Sequence, residues 1–347
     1  MNFLPSNNGG CNGFQFTFET YLDSSSRKIE VDSDLSSSSR DIYDSVSLSE
    51  SISKYEEQFG RTYHSYRAGS YHYPNDPTET ERLDDQYEIA KELMEGRNYF
   101  APFSRKNPPR KVLDIGTGTG TWAIDMGDEF PEAEIIGTDL SPVQPDLVPP
   151  NVRFFVEDSS EEWIYAPNHF DYIHTRYTLG CWKDMKSQIV QRAFDHLKPG
   201  GWLECQELNM LPVCDDGSMT DDYKLLQWAR DMDDASRAAD RQLVIGDDIK
   251  RWLEEVGFVD VQQIVLKLPV GGWAKEPRLK HLGMLWQRNL SGGLSGLSVG
   301  LLHRFGGKTT EQVEVDLVGV RNSMFDRNVH AYMKIHVVWG RKPDGIS

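Results

Sequence analysis

Short apolar runs alternate with stretches of helical periodicity along most of this chain. KVLDIG, EIIGTDL, VRFFVED, FDYIHTR and GGWLECQEL have the length and apolar content of strands, and residues 119–129 and 184–197 between them read as helices. Strands alternating with helices at this spacing predict a mostly parallel sheet with crossover helices. GDDIKRWLEEVGFVDVQQIVLKLP adds a further helix and strand, and HAYMKIHVVWGRKP supplies a last alternating strand. Upstream, Thr78 and Glu81 have capping-box spacing ahead of Leu83, Tyr87, Ala90 and Met94. That pattern predicts a helix over 79–95, ended by Gly96.

Two stretches break the rhythm. Residues 209–245 and 271–325 are helix-rich insertions, and in an open α/β sheet such insertions can cover the crevice beyond the strand ends. They are expected to shape a substrate pocket, for which Trp228, Trp252, Met284 and Trp286 supply apolar bulk if they are not core. Thr309 and Gln312 form a second capping box, followed by a core stripe at Val313, Leu317, Val320 and Met324. The glycine-rich SGGLSGLSVG follows no strand, so it reads as a flexible connection rather than a phosphate cradle.

Composition changes near residue 58. Before it, serine clusters mixed with acids offer too little apolar surface to offset the entropy of ordering, so residues 1–58 are expected to be a disordered leader, either solvating or docking protein partners. Residues 59–110 then hold the aromatic segment RTYHSYRAGSYHYPNDP and the first helix, and residues 111–343 the α/β domain. The formal net charge of −17 disfavours nucleic acid and anionic membranes as partners. No apolar run approaches the ~20 residues of a membrane span, and MNFLPSNNGG lacks the basic and apolar regions of a signal peptide. Four cysteines without CxxC or CxxH spacing suggest neither a disulfide framework nor a metal site. The expected location is cytoplasmic, with the nucleus as the alternative that the basic run RKNPPRK raises.

The chemistry concentrates in VLDIGTGTG, where Asp114 ends an apolar run and Gly116, Gly118 and Gly120 alternate just before a helical stretch. A glycine-rich strand-to-helix turn alone is weak evidence, because dinucleotide enzymes use one too. Asp139 follows the last glycine by about 20 residues, where a carboxylate can accept both hydroxyls of a ribose. NAD and S-adenosylmethionine both carry that ribose. Asp114 favours the second, since a carboxylate suits the ammonium of a methionine and repels a pyrophosphate. Asp158, closing the third strand, is placed to reach the adenine amino group.

Together VLDIGTGTG, the acid in IIGTDLS, VEDSSEEW and LKPGGWLE resemble the ordered motifs of class I S-adenosylmethionine-dependent methyltransferases. More narrowly, RTYHSYRAGSYHYPNDPTETERLD, FDYIHTR and HAYMKIHVVWGRKP resemble the fungal LaeA-like methyltransferase family over about residues 60 to 343. The resemblance implies a Rossmann-like α/β fold with a mostly parallel seven-stranded sheet, an antiparallel last strand and helical insertions. It implies S-adenosyl-L-methionine as cofactor, with Asp114, Gly116, Gly118 and Gly120 at the methionine end, Asp139 on the ribose and Asp158 on the adenine. The segment around Tyr66 and Tyr73 would fold over the cofactor, with Tyr66, Tyr71 and His72 forming a lid or else packing against the sheet. TRYTLGCWKDM departs from the regulator that names the family, which favours a paralogue with its own small-molecule substrate in secondary metabolism. A nuclear regulator acting through protein partners is the alternative. If the reaction needs a general base, His174 is the first candidate and Glu207 the second, against readings of both as packed or structural groups. Arg176 would orient an acidic substrate group or pair with a neighbouring carboxylate, and Trp122 reads as core.

Overall fold

A computed structural model describes residues 55–67 and 69–345. The expected strands all form. β3 (Lys111–Ile115), β4 (Glu134–Asp139), β5 (Val152–Val156), β6 (Phe170–Arg176), β7 (Leu197–Leu208), β8 (Val259–Pro269) and β9 (Tyr332–Arg341) build one sheet in the order β5-β4-β3-β6-β7-β9-β8. The first five run parallel, and β9 lies antiparallel to both β7 and β8. Val112, Leu113 and Ile115 are buried, as in a strand covered on both faces. Helices α2 (Thr121–Glu129), α3 (a π-wound stretch Lys186–Gln191 continuing as Arg192–His196) and α5 (Gly246–Val256) occupy the predicted crossovers.

The leader expected over 1–58 lies outside the described residues up to residue 54. Its last part is ordered: β1 (Glu56–Gln58) pairs antiparallel with β2 (Arg61–Tyr63) in a short hairpin. The first long helix, α1 (Pro77–Leu93), starts two residues earlier than Thr78 and Glu81 suggested. Asp76 caps it, accepting from the Glu79 amide at 3.1 Å, with Pro77 in the first turn. The same carboxylate binds the Arg61 guanidinium. An Asp-Pro start satisfies an orphan amide and presets the first φ angle, which outweighs the threonine. At α7 (Thr310–Ser323) the capping box of Thr309 and Gln312 forms as expected.

The insertions depart furthest from expectation. They contribute α4 (Lys224–Ala238), α6 (Pro277–Arg304) and α7, which pack with α1 into a layer over the β7, β8 and β9 end of the sheet. SGGLSGLSVG is not a flexible connection but the second half of α6. A Cβ on Gly293 would meet the Arg82 side chain at 2.5 Å, and one on Gly296 the Arg61 guanidinium at 2.7 Å. The glycines thus let the segment from β2 to α1 lie directly on the α6 backbone. Packing over this length overrides a helix-propensity cost of about 1 kcal/mol per glycine. Trp228, Trp252 and Trp286 are buried core, while Met284 is 45% exposed. Among the described residues no helix is long and apolar enough to cross a membrane.

Candidate active site

From β3 the chain moves to one side for β4 and β5, then returns to the other side of β3 for β6 and β7. The connections leaving β3 and β6 therefore diverge, and a crevice opens at the carboxyl ends of the strands. A cleft lies there, and its wall includes Asp114, Gly116, Gly118, Asp139, Asp158 and His174. Local patterns thus picked out residues that the sheet brings together.

The three acids stand at successive strand ends. Asp114 is buried, and its Oδ2 accepts from Thr117 Oγ1 at 2.6 Å. Half-buried Asp139 accepts from the Gly118 amide at 2.9 Å and the Ser141 amide at 3.0 Å. Burial raises its carboxyl above the ordinary value, and those two amides oppose the rise. Asp158 accepts from the amide and hydroxyl of Ser160 at 3.0 and 2.6 Å. The amides of Gly116 and Thr117 donate to the Thr138 carbonyl, and that of Gly120 to Thr117. With Gly118 held by Asp139, these donors of the turn are already engaged, and the nearest side chain is an acid. A pyrophosphate would find few free amides and like charge; an ammonium and a ribose fit.

The remaining predicted residues fall in different places. Gly120 is not in the cleft wall: it caps α2 at φ +81°, and a Cβ there would lie 2.4 Å from the Phe154 ring. His174 is fully buried in the wall beside Asp114, its register partner on the neighbouring strand. Its Nδ1 lies 2.8 Å from Asp114 Oδ1, and its ring stacks on Trp122 at 3.8 Å between centroids. A carboxylate accepts, so Nδ1 carries the proton, and the lone pair on Nε2 is buried without a partner. Burial lowers the imidazole from its ordinary value against the opposing pull of Asp114. Glu207 is not in the cleft wall. It is fully buried and accepts from Thr175 Oγ1, Thr178 Oγ1 and the Thr178 amide, which fixes the turn carrying Tyr177 and Thr178 into the cleft. Burial pushes its carboxyl up to about 7. Trp122 is buried as expected, and its edge also borders the cleft.

The aromatic segment does pass over the cleft, and of the residues expected there Tyr71 lies in its wall while Tyr66, His72 and Tyr73 do not. Ser70 and Tyr71 line it. Tyr73 lies behind Tyr71, edge-on at 5.0 Å, and packs against Gly180, while Tyr66 is outside the wall. Buried His64 ties the segment down from beneath, with Nδ1 2.7 Å from the Tyr66 carbonyl and Nε2 3.1 Å from that of Tyr71. Arg241, which sequence reasoning missed, lines the cleft and donates twice to the Ser70 carbonyl at 3.1 and 2.9 Å. It sits between α4 and α5 with no local pattern around it, so no sequence signal singles it out. Of the two insertions it is the sole contributor to the wall.

Residues 85–263 match a family described as "Methyltransferase domain". The chain is 37% identical over 317 residues to "Methyltransferase pytC" of Aspergillus terreus, covering 91% of this chain and 96% of that one. It is 35% identical over 288 residues to "Secondary metabolism regulator LAE1" of Cochliobolus heterostrophus, covering 82% and 94%. With "Secondary metabolism regulator laeA" of Monascus pilosus the identity is 31% over 291 residues, covering 83% and 78%.

Proposed function

Because this chain belongs to the methyltransferase-domain family and is an S-adenosylmethionine-dependent methyltransferase, we propose that it methylates a small molecule of secondary metabolism inside the roofed cleft. The observation that carries this reading is the roof itself. Ser70 and Tyr71 are held over the strand ends by His64 and Arg241, which suits a compact acceptor better than an extended polypeptide.

S-Adenosylmethionine supplies a methyl group on a sulfonium for in-line displacement by a nucleophile. The chain's own part is to bind, orient and exclude water. Asp139 would hold the ribose hydroxyls, Asp158 the adenine and Asp114 the methionine ammonium. Holding both reactants in attack geometry can contribute on the order of 7–11 kcal/mol, whereas a general base typically adds ~10²–10⁴-fold. His174 has no exposed surface and its bonded nitrogen faces Asp114, so we assign it to orienting that carboxylate. Glu207 we assign to shaping the turn before Tyr177 and Thr178.

Asp139→Ala is expected to weaken cofactor binding roughly ten- to a hundredfold, because a charged hydrogen bond contributes ~1.5–3 kcal/mol. Calorimetric titration of the two proteins measures it; equal affinities would remove Asp139 from the site. The acceptor is tested by growing a deletion strain on labelled methionine. A labelled metabolite that disappears while its pathway's transcripts stay level supports the enzyme. Lost transcripts, with the chain bound to regulatory subunits, would instead support a nuclear regulator docking through residues 1–58, the reading to which the relatives named as regulators lend weight.

A further inference from the structure

The proposed cofactor site accounts for Asp114, Asp139 and Asp158 and leaves one cation of the cleft unexplained. Arg176, at the end of β6, lines the cleft, and its guanidinium is fixed on three sides. Nε donates to Gln206 Oε1 at 2.8 Å, Nη2 reaches the Asn98 carbonyl at 3.4 Å, and the Tyr87 ring stands 5.2 Å away. Gln206 is itself locked, its amide nitrogen donating to Glu204 Oε1 at 2.7 Å and to Asn98 O at 3.1 Å, so its oxygen must face the arginine. Both acceptors are neutral amide oxygens. Nη1 is buried and has no partner at all. A guanidinium stays charged at any physiological pH, and a buried charge left without a counter-ion is costly. The arrangement is thus complete except for an anion.

Position decides which anion. Side chains two apart on a strand share a face, so Arg176 stands on the same face as His174, whose imidazole is bonded to Asp114. The Asn98 carbonyl that Arg176 touches also accepts from Trp122 Nε1 at 2.9 Å, and Trp122 is the second residue of α2, directly after the glycine turn. Arg176 therefore lies toward the glycine-turn end of the cleft, whose wall it shares with Asp114. The wall of the cleft thus holds both a negative and a positive group, the complement of an α-amino acid, which carries its ammonium and carboxylate on one carbon. We infer that Arg176 binds the α-carboxylate of the cofactor's methionine while Asp114 faces the ammonium. This inference rests on the S-adenosylmethionine reading of the cleft.

The test is calorimetric titration of wild type, Arg176→Gln and Arg176→Lys with S-adenosylhomocysteine, S-adenosylmethionine and its decarboxylated analogue. Wild type is expected to bind S-adenosylmethionine roughly tenfold or more tighter than the decarboxylated analogue, as loss of a charge-assisted pair implies. Arg176→Gln should lose that factor for the two carboxylate-bearing ligands, keep the affinity of wild type for the decarboxylated one, and so cease to discriminate. Arg176→Lys should recover part of the preference. The decarboxylated analogue also reports whether each variant is folded, since its affinity does not depend on the pair. Equal weakening of all three ligands, or unchanged affinity for all three, would overturn the assignment. If wild type retains none of the three, the cofactor reading itself falls, an outcome visible before any variant is made.

Discussion

Gly120→Ala is expected to lower the unfolding free energy by about 2–5 kcal/mol, the largest effect of any single change in the glycine turn. Two costs add. At φ +81° a side chain costs roughly 1–2 kcal/mol that glycine avoids. Overpacking a tight site costs roughly 1–3 kcal/mol more, and the new Cβ would meet the Phe154 ring at 2.4, 2.8 and 3.1 Å. The ring has little room to retreat, because it also covers Gly137, where a Cβ would come within 2.7 Å of it. Urea unfolding measures the loss, and adding Phe154→Ala to Gly120→Ala should relieve the packing part while leaving the backbone part. A Gly120→Ala protein as stable as wild type would show that the turn adapts and that this glycine is not required for packing.

The second large effect is a pH dependence centred on Glu207. An unfolded chain releases this proton near the ordinary 4.5, whereas in the folded protein burial holds it to about 7, against the hydrogen bonds from Thr178 and Thr175. Between those values the native state binds more protons than the unfolded one, so stability falls as pH rises, and the cost is complete above about pH 7. Wild type should therefore lose on the order of 3 kcal/mol relative to Glu207→Gln between pH 4.5 and pH 8. Denaturant titrations of both proteins at the two pH values give the difference. A gap between them that does not move with pH would mean that Glu207 titrates alike in the folded and unfolded chain, its burial offset by its three donors.

Much of the cleft wall was legible in the sequence because its signals are local. Asp114, Gly116, Gly118, Asp139 and Asp158 all sit at the ends of strands whose apolar runs can be read directly, and a parallel sheet places those ends together. Gly120 shares the motif but serves a contact with Phe154, 34 positions away, which no local pattern encodes. The same limit applies to the lid. The aromatic segment was recognisable as unusual, but the choice of Tyr71 over Tyr66 or Tyr73 depends on which ring faces the cleft once His64 has bent the chain.

The insertions show the limit at larger scale. Glycine in SGGLSGLSVG argued locally for a connection, and the helix exists because Arg61, Pro74 and Arg82 need its bare backbone to pack on. The substrate pocket foreseen in their tryptophans is instead core, and the single insertion residue in the cleft wall, Arg241, reaches Ser70 across 171 positions of sequence.

Periodicity and turn residues, which depend on neighbours within a few positions, were enough to place the strands and crossover helices; the antiparallel last strand and the identity of the ligand followed from the family resemblance. Which buried groups pair was decided by tertiary structure alone: His174 with Asp114, Glu207 with the Thr175 to Thr178 turn, Arg176 with no anion. A hydrogen bond or an unmet charge is a property of two surfaces brought together by folding, and the sequence around either one carries no record of the other.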